Sequence, residues 1–203
     1  KFGYDQAVSR ASDSLSYVYR LDEKYWLMML DSCMCEPVHE TGGKLSEETV
    51  AWMKTQLEEA KKQGVTVIPV SHHNLLDEST LYPEECTIEN TKEVTALLEA
   101  YGVPVYLSGH LHLQRIKKHT SNLNTPGGYG IREIVTSPLP MAPCQYSILN
   151  WQADGSLSYH TKKVDIAGWA QRYGEEDENL LNFDAYADQF LVDVISEQAF
   201  KAL

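Results

Sequence analysis

The chain has few cysteines, few positive charges and no long apolar segment. Four cysteines in 203 residues are too few for the disulfide framework of a small secreted domain, and no C-x-x-C pair indicates a zinc or redox site. The longest apolar run, 25–30, is the length of a strand, well short of the roughly 18–20 residues of a transmembrane helix. With a net charge of −12 we expect no general nucleic-acid binding, because that binding depends on neutralising phosphates.

The composition is otherwise that of a folded protein. Hydrophobic residues make up 43% of the chain and charged residues 23%, so we expect it to fold rather than remain disordered. Its length suits one domain of ordinary size with a terminal appendage. The first residue is Lys1 rather than Met and no signal peptide follows it, so we expect that Lys1 is not the natural start.

Helical and strand-like segments alternate through the first half of the chain. Residues 46–63 are predicted to form a helix with Ser46 as its N-cap. A second helix is predicted from Asn90 to about residue 101, with Asn90 and Glu93 forming a capping box. Apolar segments typical of strands buried on both faces stand before, between and after these helices, at 25–30, 65–70 and 103–107. This alternation predicts parallel strand pairing and an α/β fold.

The second half of the chain has the pattern of strands followed by helices. Three strands are predicted there, at 131–136, 145–151 and 157–164. Asp154-Gly155 favours a hairpin turn between the last two. From residue 168 the composition changes to an acidic stretch and then an amphipathic segment, which predicts one or two helices. We therefore assign 1–167 to one domain and 168–203 to a helical C-terminal extension.

Two groups of histidines come directly after predicted strands. His72 and His73 follow the strand at 65–70, and Gly109-His110-Leu111-His112 follows the strand at 103–107. Because the carboxyl ends of parallel strands meet at one edge of a sheet, we expect the imidazoles of His72, His110 and His112 to converge within roughly 6–8 Å. An extended backbone would also place the rings of His110 and His112 on one side. Imidazoles suit Zn, Fe, Mn, Co and Ni, so the sequence predicts a transition-metal site.

The same two groups resemble motifs of the calcineurin-like metallophosphoesterases. Residues 67–74 (VIPVSHHN) and 105–112 (VYLSGHLH) are similar to the family's last two blocks, a lone histidine after a strand and G-H-x-H, in the family's order. Wider similarity covers about residues 2–165 and includes 30–32, 43–45, the helix with Trp52 and 129–137. The resemblance is strong at G-H-x-H and moderate elsewhere. The family's first three blocks, D-x-H, G-D-x-x-D and G-N-H-[D/E], do not occur in these 203 residues.

The resemblance implies a fold and a missing partner. The fold would be part of the family's four-layer αββα sandwich, followed by an acidic C-terminal helical tail. The chain would then be the carboxy-terminal half of the domain, and the amino-terminal half, which supplies the remaining metal ligands, would lie outside it. We expect that half to pair with a long, apolar edge of the sheet.

The resemblance also implies the roles of the histidines. His72 and His110 would bind one metal ion and His112 a second, with the two ions being divalent or trivalent Mn, Fe or Zn. His73 would be the catalytic candidate, lying beside the ions as a supporting or substrate-facing group. The implied reaction is hydrolysis of a small phosphomonoester or phosphodiester by a hydroxide bridging the metals. Without the other half of the site, we expect the chain alone to be inactive.

Two further interpretations remain open from the sequence. The chain could be a non-catalytic module that keeps the fold and binds a partner through its acidic tail. A structural zinc site is disfavoured, because such sites favour paired cysteine ligands.

The resemblance also bears on localisation. The sequence pattern of the Ser-Leu-Ser-Tyr and His-His-Asn-Leu-Leu segments is similar to that of exported bacterial relatives, which favours the cell envelope over the cytoplasm.

Overall fold

The computed structural model describes residues 3–35, 38–77, 83–119, 130–152 and 154–201. These residues form two compact units, 1–135 and 136–203. The assignment of 1–167 and 168–203 to separate domains rests on composition and family resemblance and stays a prediction.

The described residues of the first unit form a seven-stranded sheet and three α-helices. Its strands are β1 (Ser9–Arg10), β2 (Tyr17–Arg20), β3 (Tyr25–Met29), β4 (Thr66–Val70), β5 (Val105–Ser108), β6 (Arg115–Lys118) and β7 (Arg132–Val135). Its helices are α1 (Glu47–Gln63), α2 (Pro83–Cys86) and α3 (Thr91–Ala100), preceded by a short 3₁₀ turn at Tyr4–Gln6. The strand order is β1-β2-β3-β4-β5-β7-β6, in which β3, β4, β5 and β7 are parallel. The predicted α/β class and parallel pairing are confirmed.

The register of the parallel strands brings their carboxyl ends into line. Met29 on β3 pairs with Val70 on β4, and Val70 pairs with Leu107 on β5. Hydrogen bonds continue beyond the strands, because Ser71 N donates to Leu107 O at 3.0 Å and Gly109 N donates to His72 O at 3.0 Å. The segments that follow β4 and β5 therefore run side by side at one edge of the sheet.

Helix α1 forms where the sequence predicts it. The Ser46 side chain accepts a hydrogen bond from Thr49 N at 2.9 Å, which satisfies one of the free amides of the first turn. Gly64, with φ 68°, ends the helix in the left-handed conformation that glycine adopts at little cost. The predicted apolar face is buried, at Val50, Met53, Leu57 and Ala60.

Helix α3 also forms, but the predicted capping box does not. Asn90 is at the N-cap position without a side-chain cap. Its amide instead accepts from Leu45 N at 3.2 Å and donates to Leu45 O at 2.9 Å. A tertiary partner with both a donor and an acceptor has displaced the local cap, because the carboxamide can satisfy both groups of Leu45 at once.

Helices α1 and α3 contribute to one apolar core with strands β2 to β5. Its members include Val18, Trp26, Met28, Met53, Leu57, Val67, Val94, Leu98 and Tyr106. Along β3 the residues alternate between buried and half-buried, so only one face of this strand is fully covered in the core. Segment 25–30 is predicted to be a strand buried on both faces, and the structure covers the second face only in part, because hydrophobicity alone does not reveal how completely a face is packed.

The edges of the seven-stranded sheet are short or charged. Strand β1 has only two residues, and β6 has the sequence RIKK with three exposed residues. Short strands and lysines are common means of preventing edge-to-edge pairing. The expected long, apolar edge is not found in the described part of the first unit.

The second unit is a hairpin with three helices. Its elements are β8 (Gln145–Trp151), β9 (Leu157–Lys163), α4 (Ile166–Tyr173), α5 (Glu178–Leu181) and α6 (Phe183–Lys201). The two strands pair antiparallel, and Gly155 at their turn has φ 83°, as the predicted hairpin requires. Ala187 of α6 packs with Ala142 and Cys144, which precede β8. Within the described residues, no helix has the length and apolar content needed to cross a bilayer.

Candidate metal centre

His72, His73 and His110 converge where β4 and β5 end. His72 Nε2 lies 2.9 Å from His110 Nδ1, and their rings are nearly perpendicular at 87°. The ring of His73 lies 5.1 Å from that of His72 and 4.8 Å from that of His110, between centroids. One potential ligand atom from each of the three histidines lies within 4.8 Å of the others. The sheet register, not sequence proximity, creates this group, since His72 and His110 are 38 residues apart.

His73 is held from both sides of its ring. Its side chain is 3% exposed, with Nδ1 2.8 Å from Ser32 Oγ and Nε2 3.0 Å from the Thr41 carbonyl oxygen. A carbonyl can only accept, so Nε2 carries a hydrogen and Nδ1 of the neutral ring accepts from the Ser32 hydroxyl. The imidazole is thereby fixed in orientation, and neither nitrogen is directed to solvent.

His112 does not join this group of three. It is exposed, and both His112 (φ 55°) and His110 (φ 64°) adopt positive φ values, while Leu111 N donates to Gly109 O at 2.8 Å. The expected extended backbone is therefore wrong, because the positive φ values and the hydrogen bond to Gly109 form a turn at these residues. His112 is still close enough to lower the pKa of His72 and of His110. Its assignment to a second metal stays a prediction.

The electrostatics of the centre favour neutral imidazoles. Desolvation is the largest cause that lowers the pKa of His72, followed by His73 and His112. Desolvation likewise lowers the pKa of His110, followed by the charges of His73, His72 and His112. The neutral ring is the form that binds metals, so the site is prepared for a cation at neutral pH.

The donor set fits one transition-metal ion. Two imidazole nitrogens 2.9 Å apart are close enough to bind the same ion as neighbouring ligands at about 2.0–2.1 Å each. In the described ranges, the group that could hold a metal consists of three histidines without a carboxylate. A bridging carboxylate is the usual link between two hydrolytic ions, so a second ion would need ligands beyond this group.

Asn74 supports the loops instead of facing solvent. It is fully buried, and its Nδ2 donates to Ser108 Oγ at 2.9 Å and to Gly109 O at 3.1 Å. An asparagine directly after a strand and two histidines can either contact a substrate or stabilise a turn. Burial at 0% exposure favours the second role, since the side chain connects the loop after β4 to the end of β5.

Sequence patterns did not predict a functional role for Ser32 or Glu133. Ser32 follows β3 as His72 follows β4, so the same strand-end rule would have found it. Glu133 is a carboxylate within an apolar predicted strand, next to Ile134 and Val135, and it is 0% exposed. A charged residue at such a position indicates a buried polar network.

A cavity of about 760 Å³ lies elsewhere in the first unit, along α3. Its lining residues include Leu76, Thr95, Glu99 and His119, and none of the three clustered histidines. The other histidines are separate from the centre. His39 and His160 are exposed, and His119 lies 3.6 Å from Glu99.

Comparisons with known proteins find similarity to one family model and to solved structures. Residues 165–203, which contain α4 to α6, match a family model described as the C-terminal domain of cyclic nucleotide phosphodiesterase. The fold is similar to that of a dimetal phosphatase from Danio rerio, with 14% identity and a TM-score of 0.48 over 64% of this chain and 52% of that chain. The chain thus spans about half the length of that phosphatase. No curated protein matches the chain.

Proposed function

We propose that this chain is part of a metal-dependent phosphoesterase. The observation that carries the proposal is the 2.9 Å separation of His72 Nε2 and His110 Nδ1 at the ends of neighbouring parallel strands. The match of residues 165–203 to a cyclic nucleotide phosphodiesterase domain supports it and favours a phosphodiester over a phosphomonoester. The remaining features of the calcineurin-like family, including the four-layer αββα arrangement, belong to the proposal.

Each histidine has a distinct role in this proposal. His72 and His110 hold one ion through the nitrogens that face each other, and His112 contributes to a second. His73 is the catalytic candidate, and its fixed ring shields the inner side of the centre and orients its neighbours. A bound ion supplies Lewis acidity that activates water and stabilises negative charge on phosphoryl oxygens. Without an ion, His72 Nε2 and His110 Nδ1 are joined by a hydrogen bond, in which one of these nitrogens donates and the other accepts. At most one proton therefore lies between the two rings.

The second half of the site is proposed to come from outside these 203 residues. The histidine group contains no carboxylate that could bridge two ions. We therefore propose that an amino-terminal half of the same domain supplies the bridging aspartate and the remaining ligands. The chain alone is then expected to bind one ion and to show no substantial turnover.

A second candidate function is a non-catalytic module of the same fold. It is favoured by the absence of a carboxylate from the histidine group, and by the two hydrogen bonds that occupy the ring nitrogens of His73. In that case the centre would bind one ion that stabilises the loops after β4 and β5. The protein would act by binding a partner.

The proposal is tested first by ion binding. Calorimetric titration of Mn²⁺ and Zn²⁺ should show one site in the wild-type chain, and His72→Ala or His110→Ala should each lower the affinity at least about 100-fold, because each removes a ligand. His160→Ala is the matched control, since His160 is exposed on β9 in the other unit. Equal affinity in all four proteins would contradict the proposal.

Catalysis is tested by comparing two proteins. The 203-residue chain and the product of its extended reading frame are assayed with Mn²⁺ against p-nitrophenyl phosphate, its bis ester and cyclic AMP. Ion-dependent turnover in the longer protein, lost with His110→Ala, would support the enzyme. A longer protein that lacks the first three metal-binding blocks and shows no turnover would support the binding module.

A further inference from the structure

Glu133 on β7 is a fully buried carboxylate that accepts hydrogen bonds from the loop after β4 and from the last residue of β5. Its Oε1 accepts from Leu75 N at 2.7 Å and from Ser108 Oγ at 2.6 Å. Its Oε2 accepts from Leu76 N at 2.6 Å. A buried carboxylate is costly unless it is hydrogen-bonded, and donors to an ionised oxygen form short, strong bonds. These contacts explain how the charge is accommodated within the core.

The donors belong to the two segments that carry the candidate ligands. Leu75 and Leu76 follow His72 and His73 on the loop after β4, while Ser108 is the last residue of β5 and precedes the Gly109-His110 pair. One side chain on the neighbouring strand therefore holds both loops. The donors are loop amides and one hydroxyl, so these bonds are additional to the ladder that joins β5 to β7.

Asn74 completes the connection between the loops. Its Nδ2 donates to Ser108 Oγ, and the Ser108 hydroxyl in turn donates to Glu133 Oε1. The hydrogen bonds run in one direction, from amide to hydroxyl to carboxylate, which requires an acceptor at Glu133. A glutamine at position 133 would place its N–H₂ group opposite either Leu76 N or the two donors to Oε1. Donor would then face donor, and at least one of these hydrogen bonds would be lost.

We infer that Glu133 is a positioning residue that holds His72 and His110 at the separation needed to bind one ion, an inference that rests on the proposed function of these histidines. Glu133 does not belong to the group of His72, His73 and His110, and it acts on the candidate ligands only through the segments that carry them. Partners that orient metal ligands from outside the ligand set typically change affinity by about 10–100-fold when they are replaced.

The test compares Glu133→Gln with Glu93→Gln, the same chemical change at an exposed position on α3. Ion affinity is measured by titration with Zn²⁺, and amide hydrogen exchange at Leu75 and Leu76 is measured without metal. Glu133→Gln should lower the affinity about 10–100-fold and accelerate exchange at both amides at least about 10-fold, whereas Glu93→Gln should change neither. A purely structural role would alter stability but leave the affinity of the folded protein unchanged.

Each outcome bears on one of the two proposals. A folded Glu133→Gln variant with wild-type Zn²⁺ affinity overturns the positioning role. A wild-type chain that binds no ion contradicts the proposed function. Separately, unchanged amide exchange at Leu75 and Leu76 in Glu133→Gln would show that Glu133 does not hold the loop after β4 in place. If Glu133→Gln does not fold, Ser108→Ala decides, because it removes a single hydroxyl. A folded Ser108→Ala variant with wild-type affinity would overturn the inference.

Discussion

The imidazole of His73 packs directly on Gly43, where a Cβ atom would lie 2.3 Å from His73 Cγ and 2.4 Å from its Nδ1. Gly43 belongs to the loop before α1, and it forms isolated bridges with Cys33 and Ile88. This loop also supplies the Thr41 carbonyl that accepts from His73 Nε2. The position of the buried histidine is therefore set by a segment about 30 residues away in sequence.

Gly43→Ala should destabilise the protein by about 1–3 kcal/mol, because the new methyl group must displace the His73 ring or the backbone. Urea unfolding followed by circular dichroism measures the change. Gly109→Ala is the control, since a Cβ there meets no atom closer than 3.8 Å, from His72 O, and we expect a change within about 0.5 kcal/mol. Equal stability of the Gly43→Ala variant and the wild type would show that the loop and ring do not pack as described.

Asn90→Asp should also destabilise the protein, by about 1–3 kcal/mol. At an ordinary N-cap, aspartate and asparagine are nearly equivalent. Here the amide donates to Leu45 O, and a carboxylate cannot replace that donor. Asp165→Asn is the matched control because Asp165 is a true cap, accepting from Gly168 N at 2.9 Å, and it should be nearly neutral. Similar unfolding midpoints for both variants would mean that Asn90 acts as a simple cap.

Stability should fall as the pH is lowered below about 6.5 because of His72 and His110. Both have a lowered pKa in the folded chain relative to the usual value of 6.5, so the unfolded chain takes up protons first. The loss begins near pH 6.5 and stops once the folded histidines are also protonated. Urea unfolding in the absence of metal, at several pH values between 7.5 and 5, measures the slope.

The double variant His72→Gln/His110→Gln isolates this contribution, since glutamine does not titrate. Its stability should depend less steeply on pH than that of the wild type in the same interval. Parallel pH profiles for the two proteins would contradict the lowered pKa values.

Tyr106→Phe should lower stability by about 1 kcal/mol without unfolding the protein. The buried Tyr106 hydroxyl donates to Ser71 Oγ at 2.7 Å, and the Ser71 hydroxyl donates to the His73 carbonyl. Phenylalanine keeps the packing and removes only the first of these donors. Tyr159→Phe serves as the control, because Tyr159 is only half-buried beside Ser147, and it should have a smaller effect on the unfolding midpoint. A larger loss for Tyr159→Phe would contradict this account.

Much of the fold follows from local patterns. Ser46 and Gly64 mark the ends of α1, and its buried face recurs at helical spacing. The hairpin of β8 and β9 forms at its predicted positions, because Asp154-Gly155 suits the turn and the strands are continuous on each side. Strands β1 and β6 were not predicted, since neither has an apolar pattern and both exist only through pairing with a neighbour.

The candidate centre was predictable only in part. The strand-end rule places His72 and His110 together, and the structure agrees. The rule does not predict that His73, and not His112, is the third member of the histidine group. The turn after Gly109 and the burial of the His73 ring decide this, and both depend on tertiary structure. Asn90 shows the same limit, since its partner, Leu45, lies 45 residues away.

The sequence alone determined the α/β class, the main helices and the edge of the sheet at which histidines meet, since each depends on periodicity, caps and strand direction within short segments. The tertiary structure decided which imidazole nitrogens face each other, which ring is enclosed and which carboxylate holds the loops. Those features depend on distances between residues far apart in the chain. A hydrogen bond such as that between Ser108 and Glu133 exists only when β5 and β7 are paired in one register.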